Sequence, residues 1–326
     1  MGWKGTMRSI AAASRAADRN AQRRYKQLQK AQAIADSASA VEEWEDYVES
    51  LVSIHTNMAE VIDWNSVATT PRPVEPGLQR INQQRAETAL AKFKPGIFDF
   101  FRGGSDKIRA RLETAISEAI VVDETNYKNA KAAQIKAVAE WEEDQALAKG
   151  LLVGDAQAIR QVIEARQSMS DEALVGTAIE FSIADNFVHA RLQVHGDDIV
   201  PKVRRKQSAS GRLSESKMPI SQFNELYQDY VCSAALKTAG DIFHILPLTE
   251  IFVTCTAHML NRKSGHADWT PILSVHFVRT EFLKLNLSRL DPSDSMANFR
   301  HAMKFSKTQG FSEIVPLGGS ERRSVN

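Results

Sequence analysis

The period at which apolar residues recur changes near Gly176, and that change divides the chain into two kinds of structure. Before it, Val41, Trp44, Val48, Leu51, His55, Met58 and Ile62 recur at steps of three and four, which predicts one apolar face of a helix. After it, Ile179, Phe181 and Ile183, then Val188, Ala190, Leu192 and Val194, alternate as strand residues do, with turn chemistry at Asp185-Asn186 between them. The fold class this predicts is α+β: an N-terminal long-helix coiled coil or helical bundle followed by an antiparallel β-β-α-β-β-α domain.

In the first half, the stretch from Met7 to Val61 is rich in Ala, Gln and Arg and holds no proline, so one long helix is expected. Pro71, Pro73 and Pro76 end it, because each removes a donor and biases its predecessor toward extended backbone. A short helix from Leu78 to Lys92 follows, then an aromatic knuckle of Phe98, Phe100 and Phe101 set among Gly96, Gly103 and Gly104. Ser105 opens a second long helix, with a break expected at Asp123-Glu124-Thr125-Asn126. Val41-x-x-Trp44 and Val138-x-x-Trp141, each flanked by acids, suit two helices that lay their indoles into one seam. The stripe Val41, Trp44, Val48, Leu51, Met58 and Ile62 is thereby expected to be the seam through which the protein self-associates.

In the second half, a basic loop after Val200 leads to a helix from Ser221 that carries Phe223, Leu226, Tyr227, Tyr230, Ala234, Ile242 and Phe243 inward. Strands are expected over Thr249 to Met259 and Pro271 to Leu285, and Asp291-Pro292 has the signature of a helix start. The expected divisions are 1–67, a basic long helix; 68–104, linker and short helix; 105–170, completion of the bundle; 176–317, the α+β domain; and 318–326, a disordered tail.

The chain's 326 residues are 43% hydrophobic and 25% charged, enough apolar material for about two domains. No apolar run approaches the roughly 18 residues of a spanning helix, and residues 1–30 lack a signal-peptide core, so a cytoplasmic protein is expected. Cys232 and Cys255 lie in apolar patterns and read as small reduced core residues.

The formal net charge of +1 conceals two basic segments. Arg8, Arg15, Arg19, Arg23, Arg24, Lys26 and Lys30 face the single acid Asp18, and Lys202, Arg204, Arg205, Lys206 and Arg212 crowd the loop before Ser221. Cations concentrated in this way attract a phosphate backbone, so nucleic acid is the leading ligand class. An acidic protein partner answers the same charge, as does an anionic membrane surface reached through Trp3 and the first helix, although its thin apolar face suits a strong anchor poorly.

The motifs of common chemistry are missing: no phosphate-cradling P-loop, no dinucleotide glycine fingerprint and no serine nucleophile elbow. No cofactor and no metal is therefore assigned. Glu281-x-x-Lys284 has the residue types of a restriction-type site, but a spacing of three puts them on opposite faces of a strand. Cys255-x-x-His258 is half a zinc site without a second pair. His195-Gly196-Asp197-Asp198 follows a strand end, where it reads as a solvated turn or, in the competing enzymatic reading, as a metal-dependent nuclease site with Lys202 nearby. His189 and His276 sit in strands and read as hydrogen-bonded structural histidines.

The helix from Tyr227-Gln-Asp-Tyr230-Val to Phe243, the strand Ile251-Phe-Val-Thr254, Ser264-Gly265, Pro271-Ile-Leu-Ser-Val275, Arg279-x-x-Phe282, Asp291-Pro292 and Val315-Pro316 together resemble an α/β module of bacterial proteins. Some of those proteins continue into an Mrr-like restriction endonuclease domain, which has no counterpart in this sequence. The resemblance implies a role beside nucleases in defence against foreign DNA, and with the charge pattern it gives the reading of a non-enzymatic, oligomeric scaffold that binds nucleic acid.

Overall fold

The computed structural model describes residues 36–94, 104–167, 175–260 and 265–318. In chain order the helices are α1 over 36–52, α2 Trp64–Thr69, α3 Ile81–Lys92, α4 Gly104–Leu152, α5 Ala156–Gln167, α6 Ile220–Ile245, and the single turns α7 Arg279–Phe282 and α8 Pro292–Ser295. The strands are β1 Ala178–Ala184, β2 Phe187–Gln193, β3 Val203–Gln207, β4 Leu213–Lys217, β5 Glu250–Leu260, β6 Ala267–Val278, β7 Arg300–Ser306 and β8 Gly310–Ser312. They divide into two compact units, one holding the described residues up to Ile62 together with those from Gly154 onward, the other running from Asp63 to Val153.

The first unit is built on α6. Every residue from Tyr230 to Gly240 is buried, three turns of helix covered on all sides rather than on the single face the spacing predicts. One side lies on a six-stranded sheet of order β1-β2-β5-β6-β7-β8, where the Cys255 thiol approaches the Val231 carbonyl at 3.9 Å. The other side is covered by residues 53–62 and by α8. This sheet is mixed. β2 and β5 run parallel, with His189 opposite Phe252 and Leu192 opposite Cys255, because the connection between them crosses over through α6. The remaining pairs are antiparallel, which corrects the expectation of a wholly antiparallel sheet.

The helix expected from Met7 to Val61 ends at Val52 within the described residues, so Met58 and Ile62 do not continue the stripe of Val41, Trp44, Val48 and Leu51. Residues 53–62 instead leave the helix through a 3-10 turn, Ile54–Thr56, and strap across α6. His55 is buried; its backbone N–H donates to Ser233 Oγ at 3.1 Å, its Nδ1 lies 2.8 Å from the same oxygen and its Nε2 lies 2.9 Å from the Leu287 carbonyl. One assignment satisfies all three: the Ser233 hydroxyl donates to Nδ1, and Nε2–H donates to Leu287. The Ala59 N–H donates to Asp241, which pairs with buried Lys237 at 2.9 Å, and Ile62 N–H donates to the His244 carbonyl. At Gly240 an added Cβ would stand 2.2 Å from Met58 Sδ, so the Met58 side chain of the strap packs directly on the bare glycine backbone. The seam expected to join two copies is thus packed into its own unit: Leu51 is buried, Trp44 Nε1 donates to the Val203 carbonyl at 3.0 Å and the Tyr47 hydroxyl to Ile199 at 2.8 Å.

Two further expectations are revised in this unit. β6 ends at Val278 rather than at Leu285, because Arg279 turns into α7 and donates to the Leu246 and Leu248 carbonyls beyond the end of α6. Asp291-Pro292 does open a helix, but one of a single turn, after which β7 and β8 extend the sheet.

In the second unit α4 runs 49 residues without the break expected at Asp123. The Asp123 carboxylate faces inward, where it accepts from the Gln83 N–H at 2.9 Å and from Asn82, the opening residues of α3. Those bonds, the Gln83 backbone first, hold its pKa below the usual carboxylate range. α2 is capped by Asp63, and the Thr70 and Val67 carbonyls at its end accept from Trp141 Nε1 and Gln145 Nε2 of α4. Trp141 and Trp44 therefore engage their indole donors in different units, not in one seam. The aromatic knuckle at Phe98, Phe100 and Phe101 and the tail beyond Gly318 lie outside the described residues.

Replacing Ser233 by Ala leaves the His55 N–H and ring nitrogen without their shared partner, and should cost about 1–3 kcal/mol in chemical denaturation. Burial lowers the His55 pKa below its ordinary 6.5. Its contribution to stability is then whole above that value and is lost as pH falls through the lowered folded value. Nitrogen-detected NMR should find His55 as the neutral Nε2–H tautomer at pH 6.5; half-protonation at or above that pH would contradict the assignment.

Candidate functional site

The basic loop predicted after Val200 is a β-ribbon. β3 and β4 pair antiparallel from Val203 opposite Lys217 to Gln207 opposite Leu213. The tip is closed by Ser208, whose N–H donates to the Arg212 carbonyl at 2.8 Å and whose hydroxyl accepts from the Arg212 N–H, with Gly211 at φ +78. Beyond Val203 and Leu213 the two strands are polar, and the lack of apolar alternation hides them from a hydrophobicity pattern, since neither face is buried against a core. At its base the ribbon is held by Trp44 on Val203 and by buried Met218, whose N–H donates to the Lys202 carbonyl.

The predicted phosphate-binding cations separate on this frame. Arg204 turns to the body and donates to Gln222 at 3.2 Å, and Arg205 pairs with Glu215, the ribbon's one acid, at 2.9 Å. Lys202, Lys206 and Arg212 are exposed, and so is Lys217, which closes the ribbon. None of these four takes part in an ion pair among the described residues. The basic set Arg8, Arg15, Arg19, Arg23, Arg24, Lys26 and Lys30 lies outside the described residues.

A cavity of about 650 Å³ lies in the same unit between α6, α8 and β7. Glu225 and Asp229 reach it from α6, Asp291 and Asp294 from α8, and His301 and Lys307 from β7 and its turn. Lys307 pairs with Glu225. Asp229 is pushed up to about 6, mainly by desolvation and then by Asp291 and Glu225, against hydrogen bonds from Ser293 that act the other way. Sequence reasoning missed this cavity. Its signal was an acid at position 229 between Tyr227 and Tyr230, in the most apolar of the long helices among the described residues.

The enzymatic candidates do not converge. Asp197 and Asp198 form an exposed 3-10 turn, Asp197–Ile199, while the His195 backbone accepts from the Tyr227 hydroxyl at 2.9 Å and donates to that of Tyr230 at 3.1 Å. Desolvation raises the pKa of both tyrosines, which keeps both hydroxyls protonated, Tyr227 as the donor to the His195 carbonyl and Tyr230 as the acceptor from the His195 N–H. Glu281 and Lys284 lie on one side of a helical turn, not across a strand, and form an exposed ion pair at 2.7 Å. Cys255 is buried against α6 with its thiol pushed up to about 12, whereas His258 is exposed beside Trp269. His189 bonds Thr254 and His276 bonds Glu250, each at 2.8 Å. Among the described residues no three His, Cys, Asp or Glu side chains gather so as to hold a metal ion, and no helix is long and apolar enough to cross a membrane. No family model, no curated protein and no solved structure matches the chain.

Because Asp229 binds its proton more tightly in the fold than in the unfolded chain, its charge destabilises the fold at high pH, and that cost fades as pH falls through about 6 toward 4. Asp229→Asn should therefore raise stability by ~1 kcal/mol at alkaline pH after allowance for partial solvent screening, with the gain vanishing in mild acid. Denaturation curves of both proteins across that range check it; a gain independent of pH would contradict it.

Proposed function

We propose that this is a non-enzymatic nucleic-acid-binding protein whose β3–β4 ribbon lies against the phosphate backbone. The observation that carries the reading is the ribbon itself: a protruding antiparallel pair with exposed Lys202, Lys206, Arg212 and Lys217 and a single acid already matched by Arg205. A two-stranded ribbon fits the major groove of B-form DNA, and cations on such a frame reach phosphates on its walls. With its exposed face nearly all polar, the ribbon contributes little to the core, so its charge serves contact with something outside the fold. A role for this binding beside nucleases in bacterial defence against foreign DNA is the reading that the resemblance of residues 227–316 supports.

A cation that neutralises a phosphate releases condensed counterions, so changing Lys202, Lys206, Arg212 and Lys217 together to Gln should weaken duplex binding steeply at about 0.1 M salt. The slope of log affinity against log salt should fall by about 0.9 for every phosphate left without its cation. Changing Arg205 alone should matter far less. Fluorescence anisotropy on a duplex of arbitrary sequence reads both effects. A wild type that ignores the duplex at low salt, or that sediments with anionic vesicles instead, would overturn the proposal.

A further inference from the structure

Among the described residues α4 is the longest element, and most of it is open to solvent. Of its 49 residues only Asp123, Gln145, Ala148 and Leu151 are buried, and its partners within the unit are α2 and α3. At about 100° per residue, Asp123, Gln145, Ala148 and Leu151 fall within an arc of roughly 120°, and Val121 and Ile135 fall on the far side of the helix from it. Both of these β-branched residues are 61% exposed. A helix that leaves such residues in water on the flank away from its neighbours has an unpartnered face.

The charges on that flank state what would cover it. Lys107 and Arg111 stand near its N-terminal end, Glu140 and Glu143 near its C-terminal end, and Glu124 and Lys128 close to the middle. All six are exposed, and Glu140 also pairs with Lys136 one turn before it at 3.6 Å, an exposed contact that a partner's cation can join. Two such helices laid parallel would set cations on cations and acids on acids. Laid antiparallel about a two-fold axis near Thr125, they set Lys107 against Glu143, Arg111 against Glu140 and Lys128 against Glu124, each pair occurring twice. In the same register Ile135 lies over Thr114 and Ser117 of the other helix, and Val121 over Thr125 and the methylenes of Lys128. The helix dipoles oppose one another in this arrangement, which is also the favourable sense.

We infer that α4 pairs antiparallel with α4 of a second copy of this chain, through Val121 and Ile135 at the centre of the seam and the Lys107, Arg111, Glu140 and Glu143 charges at its ends. The surface is distinct from the Val41 to Leu51 stripe, which is packed within its own unit, and the inference does not depend on nucleic-acid binding.

Sedimentation equilibrium on the full chain tests it. The wild type should be dimeric at about 50 µM, and Val121→Glu with Ile135→Glu should weaken the dimer at least about tenfold. Circular dichroism should show the helix content unchanged, since both positions are exposed. Lys107→Glu with Arg111→Glu, and separately Glu140→Lys with Glu143→Lys, should each weaken association; combining all four changes should restore it, because complementarity returns with the signs exchanged. That rescue distinguishes a broken interface from a damaged fold. A wild type that is monomeric at that concentration, a dimer indifferent to Val121→Glu with Ile135→Glu, or a four-fold charge exchange no better than its parts would each overturn the inference.

Discussion

The burial of α6 on every side is the constraint from which the rest of the first unit follows. A helix covered all round has to meet a neighbour at each turn, and its small residues, Ser233, Ala234, Ala235, Ala239 and Gly240, are where those neighbours come close. One neighbour, the sheet, is supplied by the strands that flank it. The other is the strap of residues 53–62, far away in sequence, so α1 and the strap belong to this unit and not to a helical half of their own. Polar groups in the contact are matched to one another: Ser233 to the His55 N–H and ring, and Asp241 to both Lys237 and the Ala59 N–H. Removing one member of a buried ion pair costs about 3–5 kcal/mol because the other charge stays behind, so these contacts set where the strap lies as well as how firmly.

The face of the sheet away from α6 is of a different character. His189, Thr254 and Ser274 form a hydrogen-bonded row across three strands, and the Leu317 N–H donates to Ser274 as the chain crosses that face. Phe252 stacks on His276 at 4.4 Å, and Gly318 lies against the Phe252 ring. With both faces of the sheet occupied in this way, the ribbon is the part of the unit that projects charge with little structural role of its own. Substitutions around α6 act on stability, whereas the exposed lysines of the ribbon contribute little to it.

Much of this was legible in the residues. The change of period at Gly176, the two-residue turn at Asp185-Asn186 and the apolar helix ending before Pro247 lead directly to β1, β2 and α6. What was not legible depends on distant partners. Nothing near Val52 shows that the helix must stop there, since the reason lies in Ser233 and Asp241, far along the chain. Asp123-Glu124-Thr125-Asn126 has the composition of a helix break and is instead continuous helix, because Asp123 is engaged by the start of α3. The ribbon carries no apolar alternation, and the parallel pairing of β2 with β5 is a property of topology rather than of either strand. Of the candidate site, the cations were visible as a charge run, but their separation into paired Arg205, inward Arg204 and free-standing lysines required the register.

Hydrogen exchange measured with and without duplex DNA tests the central claim most directly, namely that an ordered basic ribbon on an inert, wrapped helix makes the nucleic-acid contact. The account predicts that amides from 230 to 240 exchange slowest in both states, that His55, Ala59 and Ile62 are protected with them, and that DNA slows exchange between 202 and 218. Protection by DNA elsewhere in this unit with the ribbon unchanged, or a strap that exchanges freely while α6 stays protected, would contradict it.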